Sequence, residues 1–254
     1  MDGQAQGVGQ GKSKNRLDSN RKCYNSDMKS SKKVLFLIEQ AGTLLQMPRS
    51  HVRTLGNAFD TIASHSHHVS IMAYCIARME GLNHEDGMKA LAMGSLHDLA
   101  EGRMADLDFI SKNYTKDKEE EAIKDQFHGL EFGGDLKKLL EEYHKRKSPI
   151  AKCAKDADQL AQMYHEWVLM WRGNKLAQQW FEGDFSARLP YFHTESGKQL
   201  ALELKDSNPN EWWWDEFVTK AGRPKNKEHL VGKNYAGTKK NKKSRPVHSN
   251  QNRK

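Results

Sequence analysis

Two imidazoles and two carboxylates stand out by type and spacing. His65 is followed after 31 residues by His97-Asp98, and after 59 more by Asp158. Mixed His and Asp ligands suit Zn, Mn, Fe or Co and disfavour a thiolate site. Such a set leaves coordination positions open for water and a phosphate oxygen. The cation would lower the pKa of its water, so the expected chemistry is metal-dependent phosphohydrolysis. Phosphoryl transfer then needs in-line placement and charge neutralisation more than covalent catalysis.

Helices must position these groups. A helix from about Thr61 to Glu80 carries His65, Val69, Met72, Ala73 and Ile76 along one side, so His65 points inward. His68 flanks that face as a supporting group, and His67 falls on the far side. The next helix begins at Asn83 or His84, with Asp86 in its first turn. Ala90, Gly94, His97, Asp98 and Glu101 follow on one side of it. Gly94 weakens a helix, and close packing against the His65 helix would explain it. A third helix starts near Pro149 and runs to about Arg172, with Ala154, Asp158, Ala161, His165 and Val168 on one face. An inward histidine is more often a core residue bonded to a carbonyl, and an inward aspartate can simply pair with an arginine. Several inward ionisable groups together are harder to dismiss, because buried charge is costly unless paired or metal-bound.

Connectors supply further candidates. Residues 33–48 read as a helix with Leu37, Ala41, Leu44 and Leu45 on one face, ended by Pro48. Arg49-Ser-His-Val-Arg53 is a short basic stretch just upstream of His65, read either as a solvated loop or as a phosphate contact. After Gly102 a polar loop holds Asp106 and Lys112, in a position where loops carry function on a helical scaffold. Two amphipathic helices are expected over residues 116–127 and 135–145, with Gly133-Gly134 breaking between them. Trp180, Phe181, Phe185, Tyr191, Phe192 and Trp212-Trp-Trp214 read as aromatic anchors for the last helices or an oligomer seam.

Charge is unevenly placed along the 254 residues. Residues 1–33 hold eight lysines and arginines against three acids, and residues 220–254 hold twelve against one. The intervening 34–219 is therefore net acidic although the whole chain is +8. Both ends lack apolar periodicity and are expected to be disordered. Cys23, Cys75 and Cys153 show no paired spacing, which argues against a disulfide framework or a cysteine zinc site. No apolar run approaches transmembrane length, so a cytoplasmic protein with no membrane partner is expected.

The motifs His97-Asp-Leu-Ala-Glu101, Ala105-Asp-Leu, Lys112-Asn-Tyr, Lys155-Asp-Ala-Asp-Gln-Leu160 and Pro48-Arg49 accompany the ligand spacing. Together they resemble the HD-domain metal-dependent phosphohydrolases, in the compact branch of bacterial 5′-deoxynucleotidases and phage dATP triphosphohydrolases. The resemblance spans roughly residues 34–182. It implies an all-α HD-domain helical bundle and a catalytic domain over 34–219 between basic segments 1–33 and 220–254. It also implies metal ligands at His65, His97, Asp98 and Asp158, catalytic acids at Glu101 and Asp106, and phosphate contacts from Arg49 and Lys112. The implied cofactor is a divalent cation (Mn, Co, Fe, Zn or Mg), the partner is a nucleotide, and such proteins often act as homodimers. Ser64 stands where many relatives have an acid, and Ser50-His51 where the deoxynucleotidases tend to have an aromatic residue. Monophosphate and triphosphate substrates both stay open. So do nucleic-acid binding through the basic tails and a helical domain with a dead site.

Overall fold

Apolar periods of three and four residues give an all-α chain. Among the described residues no strand forms, only one isolated antiparallel bridge between Pro48 and Thr61. The computed structural model describes residues 28–56, 59–116, 118–218, 220 and 222. Most of the expectations for 1–33 and 220–254 therefore lie outside the described residues, as does Cys23. Cys75 and Cys153 are both free, the first exposed and the second buried. No described helix is long and apolar enough to cross a membrane.

Helix α1 (Ser30–Thr43) and the single turn α2 (Val52–Leu55) lead into α3 (Ile62–Met79). The expected face of α1 is only half right. Leu44 is buried just past its end, whereas Ala41, inside the helix, and Leu45, in the turn after Thr43, are exposed. Thr61 caps α3 in a reciprocal box with Ser64, satisfying two amides at the helix start. The buried side of α3 runs Ile62, His65, Ser66, Val69, Ser70, Ala73, Ile76 and Ala77, so its apolar stripe turns polar near His65. Asn83 caps α4 (His84–Leu96), which lies against α3. A Cβ on Gly94 would meet the backbone of Ser70 at 2.9 Å, so the two helices approach closely where only glycine fits.

His97, Asp98 and Glu101 do not share one helix, contrary to the expectation. Helix α4 ends at Leu96, and His97 Nδ1 sits 2.9 Å from the Gly94 carbonyl, the acceptor that Asp98 N–H would need to continue the helix. Tight turns then carry the chain to α5 (Glu101–Met104). Ala105 follows at φ 66° and ψ 158°, a conformation costly for any residue with a Cβ. That turn delivers Asp106 to the site.

Next come α6 (Glu119–Phe127) and α7 (Gly133–Lys145). Gly133 opens α7 instead of breaking before it, because a Cβ there would overlap the Phe127 carbonyl. The long helix α8 (Pro149–Trp171), capped by Ser148, packs against α3, α4, α7, α9 (Lys175–Arg188) and α10 (Glu195–Asp206). Its two aspartates divide the work. Asp156 is fully buried and accepts from the His193 and Thr194 backbone amides and the Thr194 hydroxyl, pinning the start of α10. Asp158, two residues on, turns to the opposite side of the helix and into the site.

Of the aromatic anchors, Phe181, Phe185 and Phe192 are buried, whereas Tyr191 is exposed. The chain divides into two units, with the boundary between Ser207 and Asn208. The second contains α11 (Glu211–Phe217), whose Trp212 and Trp214 are exposed.

Candidate metal centre

Four ligand atoms from two helices and one turn approach one another. Asp98 Oδ2 lies 3.1 Å from His97 Nε2 and 3.7 Å from His65 Nε2. Asp158 Oδ1 lies 3.2 Å from His65 Nε2 and 3.7 Å from His97 Nε2. Ligands about 2.1 Å from a shared ion sit about 3.0–3.4 Å apart. The 3.1 and 3.2 Å spacings fall in that range, and the two of 3.7 Å are wider. His65, His97 and Asp98 form the group whose atoms all lie within 4.8 Å of one another. The orientation fits too. His97 Nδ1 is engaged by the Gly94 carbonyl, which turns Nε2 toward the carboxylates, and that buried Nε2 has no aligned hydrogen-bond partner. A second-atom contact of this kind is what fixes a metal-binding imidazole. The donor set, two imidazoles and two carboxylates, is right for a divalent transition ion.

Charges around the cluster are shared in a definite way. Arg49 NH1 donates to Asp98 Oδ2 at 3.0 Å and lies 3.6 Å from Asp106 Oδ2. Asp106 Oδ2 in turn accepts from the Ser50 amide at 2.8 Å, and Arg53 pairs with Asp108 at 2.9 Å. These contacts tie the basic connector to the loop after α5. Asp158 Oδ2 accepts from Lys155 Nζ at 2.6 Å and from the Tyr143 hydroxyl at 3.1 Å. That fixes its carboxylate with Oδ1 facing the imidazoles.

The electrostatics separate the groups. Burial disfavours charge on Asp98 and Asp158, yet His97 with Arg49 for the first and Lys155 with His65 and His97 for the second hold both well below the usual carboxylate range. Burial and the charge of Arg49 lower His65, which is therefore neutral at pH 7. Burial also opposes charge on His97, but Asp98 and Asp158 outweigh it and push it up to about 10. Burial, reinforced by Asp98 and Asp106, pushes the Glu101 carboxyl up to about 9. Its Oε2 is buried and has no partner.

A pH dependence follows. His97 is protonated below about 10 in the ion-free protein, and a ligand imidazole must be neutral. Ion binding is expected to expel that proton, so apparent affinity should rise with pH, by up to about tenfold per unit, and level off only when His97 is already neutral. His65 adds no such cost. Titration calorimetry with Mn²⁺ in buffers of different ionisation enthalpy reads the released proton. A flat affinity from pH 6 to 9 would contradict the assignment of His97 as a ligand.

Of the residues singled out from sequence, His65, His97, Asp98, Asp158, Arg49 and Asp106 come together by direct contact, and Glu101 joins them through its charge. Lys112 does not join the hydrogen-bonded cluster. It lies exposed on a 3₁₀ turn (Ser111–Asn113), whose local bonding to Asp108 holds it there. The lysine that does touch a ligand is Lys155, three residues before Asp158 and so on the same helix face. Tyr143, on α7, carried no sequence signal. His68 packs its ring edge-on to Tyr164 beside the site, and His67 is exposed. Ser64 uses its hydroxyl in the α3 cap and donates to Asp60 Oδ1 at 3.0 Å.

The profile of the HD domain family matches residues 41–196, which contain every residue of this cluster. Among curated proteins none matches the chain. Solved structures share the fold. A conserved hypothetical protein from Pyrococcus furiosus is 24% identical with a TM-score of 0.58, covering 68% of this chain and 99% of its own. A protein from Pyrococcus horikoshii OT3 is 23% identical with a TM-score of 0.52, covering 68% of this chain and 96% of its own. A structural-genomics crystal structure is 23% identical with a TM-score of 0.57, covering 72% and 99%.

Proposed function

This chain belongs to the HD domain family, whose members are generally metal-dependent hydrolases, and from that premise we propose that it removes phosphate from nucleotides, with deoxynucleoside monophosphates as its substrates. His65, His97, Asp98 and Asp158 would hold the cation. When bound, the ion supplies Lewis-acid polarisation of a phosphoryl oxygen and an acidified water at neutral pH.

The observation that carries the reading is Arg49. Its guanidinium is buried between Asp98 and Asp106, at the edge of the ligand cluster. Burial works against its charge, but Asp98, Asp106 and Glu101 outweigh it, so it stays cationic. A fixed guanidinium beside the ligands presents planar donors to a phosphate in a region otherwise rich in acids. Arg49 Nε is buried with no partner, so the group has donor capacity to spare. Glu101 is placed to take or give a proton. Asp106, held by the Ser50 amide beside Arg49, is proposed as the second acid, acting at the departing 5′-oxygen. Lys112 is proposed to meet the phosphate from the rim.

A pocket of about 300 Å³ opens beside His65, lined in part by His51, His68 and Tyr164, and offers room for a nucleoside. Release of triphosphate from a deoxynucleoside triphosphate is the alternative within the same chemistry. The test is a turnover panel of dNMPs, NMPs and dNTPs with Mn²⁺, Co²⁺ or Mg²⁺. Phosphate released from dNMPs supports the proposal, triphosphate released from dNTPs supports the alternative, and no turnover of either overturns both.

Three proposals rest on sequence alone. The unpaired cysteine spacing points to the cytoplasm, and the resemblance points to a homodimer. The basic segments 1–33 and 220–254 are proposed to contact nucleic acid without sequence preference, which would show as strongly salt-dependent binding.

A further inference from the structure

Two imidazoles and a carboxylate outside the four-ligand cluster meet on the wall of the same pocket. His51 Nε2 lies 2.8 Å from Asp60 Oδ2, and His165 Nδ1 lies 3.5 Å from that same oxygen. Each of the three offers a ligand atom within 4.8 Å of the other two. The 3.5 Å spacing falls within the 3.1–3.7 Å of the first cluster, and the 2.8 Å spacing is shorter. The rings are also close: the His51 and His165 centroids are 4.5 Å apart and tilted by 44°, against 5.3 Å and 60° for His65 and His97.

The His51–Asp60 contact is short enough for a hydrogen bond but poorly aligned for one. The side chain of His51 is only 6% exposed, yet its Nε2 is buried without an aligned hydrogen-bond partner, although Asp60 is within reach. The carboxylate oxygen therefore sits off the direction in which the ring nitrogen points. His165 turns Nδ1 toward the same carboxylate oxygen at 3.5 Å, and its Nε2, elsewhere on the ring, is a separate buried atom without a partner. Buried polar atoms are rarely left so, and each calls for a ligand, an ion or a water. The carboxylate is oriented for the purpose: Asp60 Oδ1 accepts from Ser64, which leaves Oδ2 facing both imidazoles. The Asp60 backbone carbonyl accepts from the Arg49 amide at 3.0 Å, so the group is held in register with the first centre.

We propose that His51, Asp60 and His165 form a second divalent-metal site, separate from the first and facing the pocket beside His65. Two imidazoles and one carboxylate with open positions suit Zn²⁺, Mn²⁺, Co²⁺ or Fe²⁺ and not a hard, all-oxygen ion such as Ca²⁺. The open positions face the pocket, where water or an oxygen of a bound molecule can complete the shell. The site goes beyond the proposed hydrolysis and does not depend on it.

Metal content decides it. Full-length protein is stripped with chelator, reloaded with Co²⁺, passed through a desalting column and measured by elemental analysis, with the cobalt absorption spectrum recorded. Wild type is expected to hold about two ions per chain. His165→Ala and Asp60→Asn should each fall to about one, with loss of one component of the cobalt spectrum. His97→Ala should also fall to about one, keeping the component the others lose. His165→Gln, which preserves size and polarity, serves if His165→Ala does not fold. One ion per chain in wild type, unchanged in His165→Ala or His165→Gln, overturns the second site and leaves the first intact. Complete loss of metal in His97→Ala also overturns it, because the second site would then not bind on its own.

Discussion

Glu101→Gln is expected to retain the cation at His65, His97, Asp98 and Asp158 and to lose about 10²–10⁴ of turnover. Glutamine keeps the size and hydrogen-bonding reach of the side chain but can neither take nor give a proton. Glu101 suits such a role because its carboxyl is pushed up to about 9 by burial and by Asp98 and Asp106, with Oε2 buried and unpartnered. A cation in the neighbouring cluster pulls that value back down, toward the range in which a carboxyl both accepts and returns a proton near neutral pH. Bound metal and kcat are measured together on the purified variant. A metal-free Glu101→Gln would make Glu101 a ligand, and wild-type turnover would make it a bystander.

Asp98→Asn is expected to fail in the opposite order. Asp98 Oδ2 faces both imidazoles and also accepts from Arg49, so one atom would serve both the ion and the guanidinium proposed to bind phosphate. A neutral amide cannot replace an anionic ligand. The ion should bind on the order of 10²-fold or more weakly, with turnover falling by about 10³ or more at micromolar metal. Raising the metal concentration should restore part of the activity of Asp98→Asn and none of that of Glu101→Gln. Equal recovery in both would erase the distinction between ligand and proton-transfer group.

The sequence showed the centre more clearly than its surroundings. His65 and Asp158 each sit on a helical stripe, and such stripes are visible from periodicity alone because the core side of a helix recurs every three to four residues. His97 and Asp98 were placed on the right side but in too long a helix. The contact of His97 Nδ1 with the Gly94 carbonyl three residues back, where α4 ends, is a local side-chain bond with no periodic signature. The exposed Leu45 reflects the same limit, since a turn after Thr43 redirects a face that the pattern alone would extend. Lys112 lay in a fitting motif, yet the exposed 3₁₀ turn holds it away from the hydrogen-bonded cluster, while Lys155 reaches Asp158 within one turn of α8. Tyr143 and the group of His51, Asp60 and His165 depend on contacts between distant segments. No spacing rule links residues brought together only by the packing of α8 against α3 and the connector before it.

The assignment of the first centre is tested most directly by anomalous diffraction from crystals grown with Mn²⁺. The account predicts a peak bounded by His65 Nε2, His97 Nε2, Asp98 Oδ2 and Asp158 Oδ1, each within about 2.0–2.4 Å of the ion. A well-occupied peak elsewhere with these four atoms uncoordinated, or an ion held without Asp158, would contradict it.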